Sequence, residues 1–206
     1  MQPLTWPDCR NVRDLGGLPA TGGELRTGRL IRSDNLDQLA AAGLAAVHAA
    51  RISRFVDLRS AWECGKYRSP YADDPRLVNV PLWDPGDPDV PEELGLFEQY
   101  RVLVDDYAER VAAAIVAIAE APAGCVVVSC HAGKDRTGVV VALTLDLVGV
   151  PGELVAADYE ASGASADVMV RLLDHVRTQH GGTSAYLRNS GATTDQLDGL
   201  IGRLTG

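Results

Sequence analysis

The spacing of apolar residues changes several times along the chain, and each change marks an element. GELRTGRLIRSD (Gly23 to Asp34) alternates well enough to predict an early strand pair. LDQLAAAGLAAVHAA (Leu36 to Ala50) predicts a small-residue helix, and ISRFVDLR (Ile52 to Arg59) a strand. Ser60 and Glu63 have the S-x-x-E spacing of a capping box, so a short helix should open directly after Arg59. RLVNVPL (Arg76 to Leu82) predicts another strand, followed by the Pro, Asp and Gly loop WDPGDPDVPEE. From Leu96, apolar residues at Tyr100, Leu103, Tyr107, Val111, Ile115 and Ile118 hold a helical period to about Glu120. Gly124 breaks it, and Cys125 to Ser129 is a continuous apolar run suited to a strand covered on both faces. Beyond a short polar loop, Thr137 to Gly149 reads as a buried helix stopped by Gly149 and Pro151. Further helices are expected around Gly152 to Ala161, Ala166 to His180 and Thr194 to Leu204.

Alternating strands and helices followed by helices alone indicate an α/β domain, with a central, partly parallel sheet flanked by helices. The 206 residues, 46% of them hydrophobic, are enough for one sizeable core, so residues 1–206 read as a single domain. No apolar signal segment occupies the first thirty residues, and no stretch approaches the roughly 18 apolar residues of a membrane span. A cytoplasmic protein without stable membrane insertion is expected, with leaderless export left open. The formal net charge of -9 opposes broad attraction to nucleic acid or anionic lipid, so nucleic acid is not an expected partner and any anion must be captured locally. Cys9, Cys64, Cys125 and Cys130 make no CxxC pair, and His175 and His180 sit five apart, off the i, i+4 face of helical metal ligands. No metal, cofactor or disulfide scaffold is therefore expected. Lysine occurs only at Lys66 and Lys134, which makes a lysine in the polar loop after Ser129 worth explaining.

That loop, CHAGKDRTG (Cys130 to Gly138), lies at the carboxyl end of a predicted strand, where open α/β sheets bind ligands. Its backbone amides, with a helix N-terminus behind them, can form an anion-binding nest from His131, Ala132, Gly133, Lys134, Asp135 and Arg136. The ATP-type phosphate loop is a poor alternative, because Gly133 and Lys134 are followed by Asp135 instead of Ser or Thr. A cysteine at a helix N-terminus beside Arg and Lys can fall from a pKa near ~8.5 to about 3.5–7.5 and become a thiolate. Cys130 in such a setting is a nucleophile aimed at the anion that the amides hold, and Arg136 can grip two oxygens of that anion as a planar fork. A C-x5-R spacing alone fits a buried cysteine at a strand end equally well; Gly133, Thr137, Gly138 and the strand-loop-helix context favour the nucleophile.

CHAGKDRTG resembles the C-x5-R-[ST] signature of the protein tyrosine phosphatase superfamily. NVRDLGG (Asn11 to Gly17), RTGRLIRSDNL (Arg26 to Leu36) and DLRSAWE (Asp57 to Glu63) narrow the resemblance to its bacterial tyrosine phosphatase family, over nearly the whole chain through GELVAADYEAS. The chain departs from the usual pattern at Ser129, where histidine commonly precedes the nucleophile. The resemblance implies a dual-specificity-phosphatase-like fold and metal-independent hydrolysis of phosphate monoesters through a phosphocysteine. It implies phosphotyrosine proteins or phosphoinositides as substrates; a small phosphorylated metabolite is the alternative, and a silent phosphate-binding module the reading from another class. A thiol redox protein is disfavoured because Cys125 lies roughly 17 Å from Cys130 along one strand. The resemblance favours Asp135 as the acid that protonates the leaving group, with Asp84, at the end of RLVNVPL, as the alternative; a turn residue before Pro85 is the simpler role for Asp84. Thr137 is read as a helix cap and, by resemblance, as a hydroxyl that steadies the thiolate.

Lys134 is read as a contact for a second anionic group on the substrate, and His131 as a rim residue. Arg13 and Asp14 read as parts of a fixed turn, with Gly16 and Gly17 serving the bend. On oxidation Cys64 is a candidate partner for Cys130 if the end of RFVDLR neighbours the loop; otherwise it packs as a small hydrophobe facing away.

Overall fold

The apolar run Cys125–Ser129 needs cover on both faces, and it obtains that cover by lying inside a sheet with helices on either side. The computed structural model of the chain describes residues 1–83 and 94–205. Its strands are β1 (Gln2–Pro3), β2 (Arg13–Asp14), β3 (Pro19–Ala20), β4 (Gly23–Glu24), β5 (Leu30–Ser33), β6 (Ile52–Asp57), β7 (Leu77–Asn79) and β8 (Cys125–Ser129). Its helices are α1 (Ala41–Ala49), α2 (Ala61–Lys66), α3 (Leu96–Asp105), α4 (Ala108–Ala119), α5 (Asp135–Leu147), α6 (Gly152–Glu160), α7 (Ala166–His180), α8 (Thr183–Asn189) and α9 (Thr194–Thr205). Among the described residues the main sheet has the order β1-β2-β5-β8-β6-β7. β5, β8, β6 and β7 run parallel, and β1 and β2 are antiparallel additions, so the expected partly parallel α/β sheet is present.

The two-residue period of β8 assigns its side chains to two cores. Val126 and Val128 join Leu30 and Val56 in the larger core, under α3, α4, α5 and the later helices. Cys125 and Val127 join Ile31 and Phe55 in a smaller one with Trp6 and Val47. Full burial of each valine is worth about 1.5–3 kcal/mol, which anchors the strand from both sides. Ser33, Ser129 and Asp57 are level across β5, β8 and β6, so three carboxyl ends converge where the polar loop begins.

Several boundaries differ from the sequence reading for identifiable reasons. The early strand pair is split: Gly23–Glu24 turns back on Pro19–Ala20 as a separate ribbon, and only Leu30–Ser33 joins the main sheet. The helical period from Leu96 to Glu120 is two helices, broken at Asp106 and Tyr107. Tyr100, Leu103, Val111, Ile115 and Ile118 all enter the same core, so periodicity alone hides the break. α5 starts at Asp135, so Thr137 lies in its first turn and is not the cap that the sequence suggested. Arg13–Asp14, read as a turn, is a short strand paired with Arg32 and Ile31, and α8 was not anticipated. The capping box is present as expected: the Glu63 amide donates to Ser60 Oγ at 3.2 Å and the Ser60 amide to Glu63 Oε2 at 2.9 Å. Among the described residues no helix is long and apolar enough to cross a membrane.

Candidate active site

Cys130 is 2% exposed and directly follows β8, at the base of the loop that leads into α5. The loop's carbonyls are all engaged on its outer side. His131 O accepts from the Asn35 amide at 3.1 Å, Ala132 O from Asn11 Nδ2 at 3.1 Å, and Gly133 O from Asn11 Nδ2 at 2.9 Å and Arg32 Nη2 at 2.7 Å. Lys134 O accepts from the Gly138 amide at 2.8 Å and from Arg32 at 3.4 Å. In a planar trans peptide the N–H points away from the C=O, so fixing these carbonyls outward turns the following amides inward. Among the described residues, the amides of His131 to Lys134 donate to no backbone carbonyl. Gly133 has φ +64°, and a Cβ there would lie 2.5 Å from the Asp34 amide nitrogen, so the turn requires glycine.

The outward anchors are themselves held by a buried ionic cluster. Asp158 on α6 accepts from Arg13 Nε at 2.7 Å through Oδ1 and from Arg32 Nη1 through Oδ2. Arg13 Nη1 also donates to Asn11 Oδ1 at 2.5 Å, which leaves Nδ2 of that amide to face the loop. Ser162 Oγ accepts from Arg13 Nη2 at 2.8 Å. All three charged groups are buried, two cations against one anion, and the buried Asp34 carboxylate beside the loop accepts from the Arg10 and Asn11 amides. Burial and the neighbouring Arg32 push the Arg13 guanidinium below its ordinary pKa, the expected sign for a crowded cation.

Arg136, also buried, is positioned by a bidentate pair with Glu63: Nη1 to Oε2 at 2.5 Å and Nη2 to Oε1 at 2.7 Å. Five donors on a guanidinium minus these two leaves Nε–H and one N–H on each terminal nitrogen for a bound anion. Burial raises the Glu63 carboxyl, but the Arg136 hydrogen bonds and the Ser60 amide outweigh it and bring it down to about 2. The capping box at Ser60 thus both starts α2 and aims Glu63 at Arg136. Asp57 and Arg59 brace the start of that helix. Arg59 Nη2 donates to Asp57 Oδ2 at 2.7 Å and Nη1 to the Tyr67 carbonyl at 2.8 Å, while Asn79 Nδ2 bonds the carbonyls of both Asp57 and Arg59. Trp83 lies with its ring 5.6 Å from the Arg136 guanidinium.

Asp135 opens α5, and its Oδ1 accepts from the buried Tyr100 hydroxyl at 2.5 Å. Tyr100 is in turn 2.7 Å from the Tyr159 hydroxyl, so a chain of two phenols from α3 and α6 holds the carboxylate. Gly138 makes room for this, since a Cβ there would sit 2.9 Å from the Tyr159 ring. The Thr137 hydroxyl is buried with no hydrogen-bond partner among the described residues, in the first turn of α5. Lys134 Nζ rests 3.4 Å from the Gly163 carbonyl on the rim. His131 is exposed, stacks obliquely on Tyr67 at 4.9 Å, and is joined there by Lys66, whose ammonium lies 5.2 Å from the Tyr67 ring and 4.7 Å from that of exposed Trp62. Asp84 lies outside the described residues.

Cys64 hydrogen-bonds to Asp57 Oδ2 at 3.6 Å and the Arg59 carbonyl at 3.9 Å. Burial and Asp57 push its thiol up to about 11. A thiol raised in this way is a slow nucleophile towards an oxidised Cys130.

Residues 4–166 match a family model described as the tyrosine phosphatase family. The chain belongs to that family. It is 32% identical over 193 residues to the triple specificity protein phosphatase PtpB of Mycobacterium tuberculosis, an alignment covering 77% of this chain and 68% of that one. It is also similar to a protein of Cupriavidus necator that carries the name of a tyrosine-protein phosphatase, at 29% identity over 171 residues, 76% of this chain and 61% of the other. The chain is thus a tyrosine-phosphatase-like hydrolase, and phosphorylated compounds are its substrate class.

Within this family member, sequence reasoning located the loop but not its supports. Asn11, Arg32, Glu63 and Tyr100 touch the loop or its side chains from distant elements, and Asp158 acts one step back, on Arg32 and Arg13. The usable signal was the density of polar residues in NVRDLGG, RTGRLIRSDNL and DLRSAWE, many of which, Arg13, Arg32, Asp57 and Glu63 among them, are buried.

The Glu63 pair generates a pH prediction. An unfolded glutamate titrates near ~4.3, and the folded one at about 2. A depressed carboxyl stabilises the fold above the unfolded value and loses that contribution as pH falls through the folded one. Urea denaturation should show this component of stability disappearing between about pH 4 and pH 2 in the wild type and missing in Glu63→Gln. Near neutral pH the variant should be about 1–3 kcal/mol less stable, because Arg136 keeps only one of two acceptors. Superimposable pH profiles for the two proteins would reject this role for Glu63.

Proposed function

We propose that this chain hydrolyses phosphate monoesters in two steps through a phosphocysteine on Cys130. The observation that carries the reading is the outward anchoring of four consecutive loop carbonyls around a buried cysteine. It leaves the amides of His131, Ala132, Gly133 and Lys134, with those of Asp135 and Arg136 at the helix start, for a tetrahedral anion. In the first step the Cys130 thiolate attacks phosphorus, the P–O bond to the leaving group breaks, and Asp135 gives that oxygen its proton. In the second, Asp135 takes a proton from water, the water oxygen attacks phosphorus, and the P–S bond breaks to return thiolate and inorganic phosphate. Arg136 spreads its remaining N–H groups over the equatorial oxygens, and the Thr137 hydroxyl is available to the sulfur as it becomes a leaving group.

Phosphotyrosine in proteins and phosphoinositides are the proposed substrates. The aromatic rim of Trp62, Tyr67 and His131 supports an aryl phosphate, and the similarity to a triple specificity phosphatase supports breadth beyond it. Lys134, on the rim, would take a second anionic group. A phosphate-release assay over phosphotyrosine peptides, phosphoinositides and small phosphorylated metabolites tests the assignment; activity confined to the metabolites would replace it with the narrower alternative.

Cys130→Ser should lose turnover to background yet still bind phosphate or vanadate, because the anchored carbonyls do not depend on sulfur; appreciable hydrolysis by this variant rejects the phosphocysteine. Asp135→Asn should slow alkyl phosphates by about 10²–10⁴-fold, and p-nitrophenyl phosphate far less, since its phenolate departs without a proton. The same pattern in Asp84→Asn instead would transfer the acid to that residue. Lys134→Ala should weaken bisphosphorylated substrates by about five- to tenfold, on the order of 1 kcal/mol for one partly screened charge, while singly phosphorylated ones change little; equal losses on both would remove the second-anion role.

A further inference from the structure

Away from the loop, the chain brings together three residues that its sequence spreads over 75 positions. Among the described residues, Asp105, His175 and His180 are the one group of three potential metal ligands, with ligand atoms all within 4.8 Å of one another. His175 Nε2 and His180 Nε2 both lie 2.9 Å from the same carboxylate oxygen, Asp105 Oδ1. The i, i+5 spacing of the histidines does not give one helical face. They meet because His180 is the last residue of α7, ahead of Gly181 in the left-handed conformation, and because the third group comes from the last residue of a different helix, α3.

We propose that Asp105, His175 and His180 bind a single divalent transition-metal ion of the zinc class, which ties the C-terminal end of α3 to that of α7. Tetrahedral bonds of about 2.0–2.1 Å put neighbouring ligand atoms roughly 3.3 Å apart, so the 2.9 Å separations need to open by only a few tenths of an ångström. Two imidazoles and one carboxylate are a borderline donor set that favours zinc, cobalt or nickel over calcium or magnesium. The second carboxylate oxygen, Oδ2, is held by Arg101 Nη1 at 3.2 Å, which orients Oδ1 as a one-oxygen ligand.

A separate observation points to something absent from the hydrogen-bonded triad itself. The Tyr186 hydroxyl is buried, has no hydrogen-bond partner among the described residues, and belongs to a ring 5.1 Å from that of His180. Burial and the Asp105 carboxylate both push its phenol up. Buried hydroxyls are rarely left without a partner, and a water bound to the ion in its fourth position would supply one. Asp105 also lines an open groove of about 430 Å³ together with Asn189 and Ser190. In the loaded state each imidazole carries its proton on Nδ1 and offers Nε2 to the metal. Without metal, each donates an Nε2 proton to Oδ1. The proposal is independent of the chemistry at Cys130, although α3 also carries Tyr100, so the ion would stiffen the helix that holds Asp135.

The test uses the full chain as Cys130→Ser, so that zinc cannot be captured by the catalytic thiol, after chelator treatment. Calorimetric titration with Zn²⁺ should show one ion per chain, with a rise in Tm of roughly 5–10 °C at a hundredfold excess over Kd. His175→Ala and His180→Ala should each lose that binding, and Asp105→Asn should weaken it at least about tenfold. Co²⁺ should give the visible absorption of a tetrahedral site in the parent and not in the histidine variants. X-ray absorption at the zinc edge needs no variant of the ligands: it should show two imidazoles and oxygen at about 2.0–2.1 Å. Absence of stoichiometric binding, binding unchanged in the histidine variants, or a sulfur shell at about 2.3 Å would each overturn the proposal, the first leaving the triad as a hydrogen-bonded clasp only.

Discussion

A single buried carboxylate, Asp158, underlies the geometry of the loop at Cys130. It holds Arg13 and Arg32 in place, Arg13 fixes the amide of Asn11, and Arg32 and Asn11 together hold the carbonyls of Ala132, Gly133 and Lys134. Burying three charged side chains is costly, and an ion cluster of this kind is seldom the cheapest way to stabilise a core. What it supplies here is direction. Carbonyls fixed outward leave amides facing inward.

The other supports follow the same logic, in which a side chain at the start of α5 is held by a residue from another element. Arg136 is aimed by Glu63, which is itself placed by the capping box that starts α2. Asp135 is held by Tyr100 from α3, and Tyr100 by Tyr159 from α6. Asp135 and Arg136 are adjacent in the chain, on the first turn of α5, and their partners lie on different elements. The helix therefore cannot rotate without breaking both contacts, and its N-terminus keeps its aim at the loop. The glycines at 133 and 138 are the complement of these fixings: each sits where another backbone segment or ring comes closer than a Cβ permits.

Local patterns were enough for the strand at Cys125, the capping box at Ser60, the helices from Gly152 and Ala166, and the loop with its cysteine and arginine. Each depends on residues within a few positions of one another: an unbroken apolar run, an S-x-x-E spacing, a 3.6-residue period, a C-x5-R interval. The break between α3 and α4 escaped because both halves present the same apolar face to one core, and periodicity reports which face is buried, not whether the backbone is continuous. The start of α5 was placed two residues late because the acidic and basic residues Asp135 and Arg136 read as loop, whereas their side chains are engaged by Tyr100 and Glu63.

By itself the sequence determined most of the strands and helices, the partly parallel α/β class, and the residue types available between Cys130 and Thr137, since all of these follow from local periodicity and local composition. Tertiary structure decided which way that loop's amides face, because the groups that orient its carbonyls come from Asn11 and Arg32, about a hundred positions away. It also decided that two histidines on the wrong helical spacing share one carboxylate oxygen, since the end of α7 and the end of α3 meet only in the packed molecule. Hydrogen-bond direction and ligand convergence are properties of distances through space, and a linear spacing rule contains neither.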